Sequence, residues 1–594
     1  MAGVLDYPCN SNRIQGKAMF HTKNHKQLDM FDPWGHLGPK RRKIVDKSWA
    51  GLFRREILAE LPVDALREYY DDCNGRPTKE LFSMVGLMIL QQMHDLTDEQ
   101  AVEQFCFNVQ WHYALDITDA SDAFSYVSLR SLWTMRDQLT EKGLHKVLFE
   151  KVAQKLARVF KVDLSKQRID SVHIQSNMRR LGRIGLFVKT IKKFLVNLKR
   201  HHPSLLDALD KDLRARYLEK KQEAVFALVK PTQTHATLDQ LAKDVFFLVE
   251  RFSSVQSVND MSSFKLLVRL FQEQCIVEDH DGERIPVAKP NKDVPSDSLQ
   301  NPSDPDAGYS GHKGQGFQVQ IMETYDPDAS EASFSLITHA EVEPADRSDA
   351  NALLPAIEST TQRNLAPDEL LADSLYGGDD NCERAKHDHG VDVISPAMGT
   401  TGKGLSLDDF TLDASGKITA CPEGHGPVSV RSRRRFSAAF SLDDCRTCPQ
   451  QERCPVKPGK KAAYVHYSMK EVRLARRRIH EQTAQFRDKY RFRAGVEATM
   501  SEYDRRTGVK KLRVRGIKAV TYAAIMKAIG LNIRRAAAST LWAKVPEKPS
   551  LGQICTLIWL VVHLTEQIRS RFEKSTAWIC QNRQDHSVDF RIAA

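Results

Sequence analysis

The chain has 594 residues, enough for about three to five structural units at roughly 100–200 residues each. With 41% apolar and 27% charged residues it can bury a substantial core, and its longest apolar stretch, Ile554 to Leu564, has 11 residues, short of the roughly 17–25 that a membrane-spanning helix needs. Lys and Arg outnumber Asp and Glu by 87 to 76, a formal charge of +11, which points to a polyanionic partner, nucleic acid being the commonest.

That excess is local. Arg473 to Lys518 carries 15 Lys and Arg against 5 Asp and Glu, the clustering that neutralisation of phosphates requires. Met1 to Asn10 shows no charged region followed by an apolar run, so no signal peptide is expected. The eleven cysteines are mostly scattered, as in a cytosolic protein, except for one cluster near the centre of the C-terminal half.

In chain order, residues 1–45 are polar, include Lys40-Arg41-Arg42-Lys43, and are expected to form a flexible basic arm. Residues 46–160 read as a helical N-terminal DNA-binding domain. Leu81, Val85, Met88, Ile89 and Met93 recur at helical spacing after the turn signal Asn74-Gly75-Arg76-Pro77. Helices at 97–115 and 125–139 have the lengths for a helix-turn-helix and equally for plain helical packing.

At Lys166 the period changes. Arg168-Ile169-Asp170-Ser171-Val172-His173-Ile174 alternates as a strand does. Residues 179–278 return to helical spacing, as in Phe187, Ile191, Phe194, Leu195 and Leu198, and interrupt the strand pattern as an insertion. Residues 279–304, rich in Pro, Asp and Ser, read as a linker. Strands are expected at Phe317 to Ile321, Ser333 to Ala340, Glu369 to Asp373 and Val391 to Ile394, with helices at Asp349 to Thr361 and Cys382 to His389. This is a mixed α/β unit, split between residues 161–178 and 305–406. Residues 407–467 read as a loop-rich, Cys-bearing insertion, 468–540 as the helical end of the α/β core, and 541–594 as a helical tail.

Three acidic residues stand out. Asp170 sits in an Arg-Ile-Asp-Ser-Val strand and Asp373 in Ala-Asp-Ser-Leu-Tyr-Gly-Gly, where strand-end carboxylates beside Gly-rich turns suit a hard cation. Glu497 shares a helix face with Tyr490 and Arg493, at steps of three and four, inside the most basic segment of the chain. Cys421, Cys445, Cys448 and Cys454 fall within 34 residues, and Cys445-Arg-Thr-Cys448 with two further thiols fits a structural Zn²⁺ site, His425 being a rival ligand. Arg431, Arg433, Arg434 and Arg435 in the same module could grip phosphates. Gly311-His312-Lys313-Gly314-Gln315-Gly316 lacks the spacing of a phosphate-binding P-loop and reads as the turn into a strand.

The motifs together resemble the DDE transposases of bacterial insertion sequences. Tyr490, Arg493 and Glu497 match the Tyr-x₂-Arg-x₃-Glu motif in identity and spacing; the basic residue that follows in the family is replaced by Asp504, with Arg505 next to it. Asp170-Ser171 resembles the first motif and Ala372-Asp373 with Tyr376-Gly377 the second, while Gly75-Arg76-Pro77 opens a helix like that of the family's N-terminal domain.

The resemblance implies an RNase H-like mixed-sheet core. Asp170, Asp373 and Glu497 would be both catalytic residues and ligands to two Mg²⁺ ions. DNA contacts would come from Tyr490, Arg493, Arg505, Arg506, Lys510 and Lys511. It further implies double-stranded DNA partners (terminal inverted repeats and target), a dimer on DNA, and a cytoplasmic, nucleoid-associated bacterial protein. The rival expectations are a metal-dependent nuclease on the same core and a non-catalytic zinc-containing DNA-binding protein or transposase relic.

Overall fold

A computed structural model describes residues 19–27, 32–71, 77–219, 229–280, 283–328, 334–398, 404–539 and 558–571, with residues 75, 226 and 542. The chain divides into two compact units. Asn74 and Arg76 of the expected turn, Ser333, residues 1–18 and 28–31 of the expected arm, and most of the expected tail lie outside the described residues.

The first unit takes in residues 1–86, 102–128 and 540–594. Its helix Gly38–Lys47 begins inside the stretch expected to be a flexible arm. Arg42 is fixed there, with Nη1 3.0 Å from Asp32 and Nε 3.0 Å from Asp46. Lys40 to Lys43 therefore belong to a folded helix, and the arm reading holds for none of them. The helix Val109–Leu115 is capped by Asn108, whose side chain accepts from the amides of Gln110 and Trp111, and ends at Asp116 in the left-handed region (φ 55). The Asp116 carboxylate holds Arg54 at 2.7 Å.

The second unit takes in residues 87–101 and 129–539 and is built on one mixed sheet. Its centre is the ten-residue strand Lys166–Gln175. On one side lies Gly314–Thr324, antiparallel to it, then Ile337–Pro344, antiparallel again. On the other side lie Glu369–Leu371 and Asp392–Ile394, both parallel. The short strand Gly308–Ser310 also pairs with Gly314–Thr324. Gln315 to Thr324 are all buried, as a strand covered on both faces requires. Ile337–Pro344 sits a few residues later than the spacing predicts.

The insertion after the central strand packs the helices Arg183–His201, Thr234–Phe252 and Ser262–Gln274 around Phe187, Ile191, Phe194, Leu241, Val245, Leu267 and Leu270. It ends in a hairpin, Cys275–His280 with Glu283–Ala288, so the start of the expected linker is β-structure. The rest is tied down: Arg269 donates to the carbonyls of Pro305 (2.9 Å) and Asp297 (3.0 Å), and the Leu299 amide to Glu273 (2.7 Å). Pro, Asp and Ser there mark turns, not slack.

The Cys-bearing insertion is likewise more ordered than its loop-rich sequence predicts. A four-stranded antiparallel sheet runs in the order Ser429–Ser432, Phe436–Phe440, Ala463–Tyr467, Lys457–Pro458, beside a two-stranded one of Thr411–Leu412 and Ile418–Ala420. Its strands are too short, at two to five residues, to show a clear period of two. One face, with Phe436, Ala438, Phe440, Val465 and Tyr467, packs a small core of its own.

The helices Met469–Glu481, Ala484–Tyr490, Gly495–Thr507 and Ile517–Ala538 follow. Ile517–Ala538 is buried almost all round. Its first amides are met from far upstream, Gly516 donating to Asp304 (2.9 Å) and Ile517 to Asp306 (3.0 Å), anions where the helix dipole favours them. None of the described helices is long and apolar enough to cross a membrane.

Candidate active site

Asp170 lies in the middle of the central strand, opposite Ile321. The Ser171 amide donates to its Oδ1 at 2.8 Å. Burial pushes the Asp170 carboxyl above the usual carboxylate range; Arg493 and the Ser171 amide pull it down, while Asp373 and Asp349 push it up.

Asp373 follows the parallel strand Glu369–Leu371 by two residues, and its Oδ1 accepts from the Leu375 amide at 2.8 Å, closing a turn. The Tyr-Gly of the motif has a physical basis here. Tyr376 is fully buried, with its hydroxyl on the Gln320 side chain of the neighbouring strand. Gly377 has no room for a side chain, since a Cβ would stand 1.8 Å from Ser395 Oγ. Arg477, from the helix Met469–Glu481, donates to the carbonyls of Gly377 (2.8 Å) and Ser395 (3.0 Å) and pins this loop.

Glu497 is in the first turn of Gly495–Thr507, after the 3₁₀ turn Arg491–Ala494 that carries Arg493. That helix is docked by a buried charge network. Glu323, fully buried, accepts from Thr499 Oγ1 at 2.8 Å and pairs with Arg168 (2.7 Å) and Arg535 (2.9 Å). Arg168 also donates to the Phe492 carbonyl at 2.8 Å, and Gly495 leaves space for its guanidinium. The alternation in the strand pattern predicts an exposed Arg168; the network shows why it is buried.

Arg493 joins the three acids. Its Nη2 is 2.9 Å from Asp170 Oδ2 and 3.9 Å from Asp373 Oδ2, and its Nη1 is 3.3 Å from Glu497 Oε1. Residues more than 300 positions apart thus meet on one guanidinium. Glu497 keeps 69% of its side chain exposed. Among the described residues no group of three or more His, Cys, Asp or Glu is drawn together tightly enough to hold a metal ion.

Of the expected DNA-contacting residues, Tyr490 and Arg493 border the acids. Burial raises the Tyr490 phenol, Arg493 lowers it, and Asp373 and Asp170 raise it further. Arg505, Arg506, Lys510 and Lys511 are exposed on or just after the helix that carries Glu497. Arg506 pairs with Glu502 (2.8 Å), and Asp504, in place of the family's basic residue, accepts from the Lys510 amide at 3.1 Å.

Two neighbours of the acids escape the sequence reading. Asp349 accepts from Ser171 Oγ (3.3 Å) and Gln320 Nε2 (2.8 Å). Lys313 donates to Ser171 Oγ at 3.2 Å. Neither belongs to a spaced motif; only the strand register brings them here.

Cys421, Cys445, Cys448 and Cys454 line one cavity together with His425, and all four are free thiols. Burial raises the Cys445 and Cys454 thiols, and the neighbouring thiols raise them further. Arg431 to Arg435 are exposed at the tip of the Ser429–Ser432/Phe436–Phe440 hairpin.

Comparison with known families gives two matches. Residues 42–138 match a family described as transposase domain (DUF772), and residues 420–537 match one described as transposase DDE domain. The second covers Tyr490, Arg493, Glu497 and the four cysteines; Asp170 and Asp373 precede it. No curated protein matches the chain. Over an N-terminal transposase segment and a DDE segment that contains the Tyr490–Arg493–Glu497 motif, the chain is thus similar to insertion-sequence DDE transposases.

Proposed function

We propose that this chain is an insertion-sequence DDE transposase that cuts and joins DNA by phosphoryl transfer at Asp170, Asp373 and Glu497, held on an RNase H-like core. The observation that carries the reading is the single guanidinium of Arg493 in reach of all three carboxylates. The strand order, three antiparallel strands followed by two parallel to the first, supports the core assignment.

The donors are carboxylate oxygens, the ligand chemistry of Mg²⁺. Two of them are largely buried with one guanidinium between them, so the cluster suits additional positive charge. Asp170, Asp373 and Glu497 would hold such ions. Bound there, such ions activate the attacking oxygen and stabilise the leaving one.

The chain's own residues supply position. The Glu323 network holds the helix of Glu497 against the strand of Asp170. Arg477 and Gly377 hold the loop of Asp373. Arg493 orients Glu497, and Arg505, Arg506, Lys510 and Lys511 offer positive charge to the DNA backbone beside the site. The four thiols around one cavity support a structural Zn²⁺ in the Cys-bearing module. Pairing of the two inverted ends of one element calls for a dimer on DNA.

The test is a metal-dependent cleavage and strand-transfer assay on the ends of the element. Asp170→Ala, Asp373→Ala and Glu497→Ala each abolish both steps and leave end binding in place. Joining by all three variants would end the assignment, and cutting of unrelated DNA without joining would make the protein a nuclease.

A further inference from the structure

Lys313 occupies the turn of a hairpin and reaches Ser171, the residue after Asp170. The strands Gly308–Ser310 and Gly314–Thr324 flank it. Its amide donates to Ser310 Oγ at 3.3 Å. Gly314 follows at φ +92, a conformation that side chains disfavour. At Gly316 a Cβ would come within 2.1 Å of the Ile174 carbonyl, so the hairpin lies flush on the central strand. The glycines that give this stretch its look of a phosphate loop therefore set the height of Lys313 above the sheet.

The ammonium stands 3.2 Å from Ser171 Oγ, and the Ser171 amide in turn binds Asp170. The Ser171 hydroxyl gives its own proton to Asp349, which Gln320 also holds. Lys313 itself is exposed, and among the described residues no carboxylate comes within ion-pair distance of it. An ammonium has three donors; here one goes to Ser171. Its charge is also felt below, since burial and then Lys313 lower the His173 imidazole from its ordinary value.

We propose that Lys313 donates to a non-bridging oxygen of the phosphodiester being cut, and so is a catalytic residue. The inference rests on the reading of Asp170 as the catalytic acid. A phosphodiester brought against a carboxylate cluster is repelled, and a fixed donor aimed at its developing charge acts selectively on the transition state.

The experiment uses the full chain and a duplex oligonucleotide carrying the element's own end with its flanking DNA. Single-turnover cleavage is followed with Mg²⁺, and end binding is measured with Ca²⁺ in its place. Lys313→Ala and Lys313→Gln should slow cleavage on the order of 10²-fold, with end binding and melting temperature close to those of the unaltered protein. Lys313→Arg should recover most of the rate. An unchanged rate in Lys313→Ala overturns the proposal. So does a loss that follows weakened binding or a lowered melting temperature, or one that Lys313→Arg fails to relieve. Asp170→Ala in the same assay separates the two ideas: if it still cleaves, the acidic site itself is wrong, whatever Lys313 does.

Discussion

Arg168 and Glu323 face each other across the antiparallel pair at the centre of the sheet, with guanidinium and carboxylate 2.7 Å apart and both side chains nearly or wholly buried. Glu323 also takes Arg535 from the helix Ile517–Ala538 and the Thr499 hydroxyl from the helix of Glu497. Removing one member of a buried ionic network leaves the others charged and unpaired, at a cost of about 3–5 kcal/mol. Glu323→Ala should therefore destabilise the second unit by about that much in chemical denaturation. It should also slow cleavage, because the helix that carries Glu497 loses its anchor. A wild-type denaturation curve for the variant would contradict the network's role.

Gly377→Ala should disturb Asp373 without touching it. The added methyl would stand 1.8 Å from Ser395 Oγ, and forced overpacking costs about 1–3 kcal/mol. Melting temperature and cleavage rate should both fall. Adding Ser395→Gly removes the clashing atoms and should restore part of each; a double variant no better than the single one would place the fault elsewhere.

Acid should weaken the protein through a buried histidine. Burial, and then Arg534, hold His94 down to a pKa of about 4, from an ordinary 6.5. Arg534 Nη2 lies 3.0 Å from its Nδ1, a contact that suits the neutral ring as acceptor. A depressed value means that the unfolded chain takes up the proton first. The contribution is thus complete above about 6.5 and is lost as the pH falls toward about 4. His94→Gln keeps an acceptor and cannot titrate, so its melting temperature should decline less between pH 7 and 4. Parallel declines for both proteins would remove His94 from the account.

The Cys-bearing module should carry about one zinc per chain, measurable by elemental analysis of the purified protein. Cys445→Ser and Cys448→Ser should each lose the metal and lower the melting temperature, and a strong chelator should do the same to the unaltered protein. A metal-free protein indifferent to chelator would return the four thiols to ordinary packing.

Part of this site is legible in the sequence because it is carried by spacing. Tyr490, Arg493 and Glu497 declare themselves through steps of three and four, although they fall on a helix end, a 3₁₀ turn and the next helix and not on one helix. Asp373 does so through a strand that ends in a turn, whereas Asp170, expected at a strand end, lies in mid-strand. What escapes is what depends on register. Arg168 reads as a solvent-facing member of an alternating strand, and Glu323 lies beyond the expected strand Phe317 to Ile321, until pairing sets the two opposite each other. Lys313 and Asp349 approach Ser171 only through strands that meet across more than a hundred residues. The cysteine module reads as loop because its strands are too short to show a period, and the linker because Pro and Asp mark turns whether or not the chain between them is fastened.

The mending of the central strand has a temporal side. Lys166–Gln175 finds its neighbours only after the helical insertion has been made, and Glu323 finds Arg535 later still. Asp304 and Asp306 wait for the amides of Gly516 and Ile517. Pairings so distant along the chain form late, after the cost of closing large loops has been met. A polypeptide still emerging from the ribosome, or broken off before the helix Ile517–Ala538, thus lacks the partners that Glu323, Asp304 and Asp306 find there.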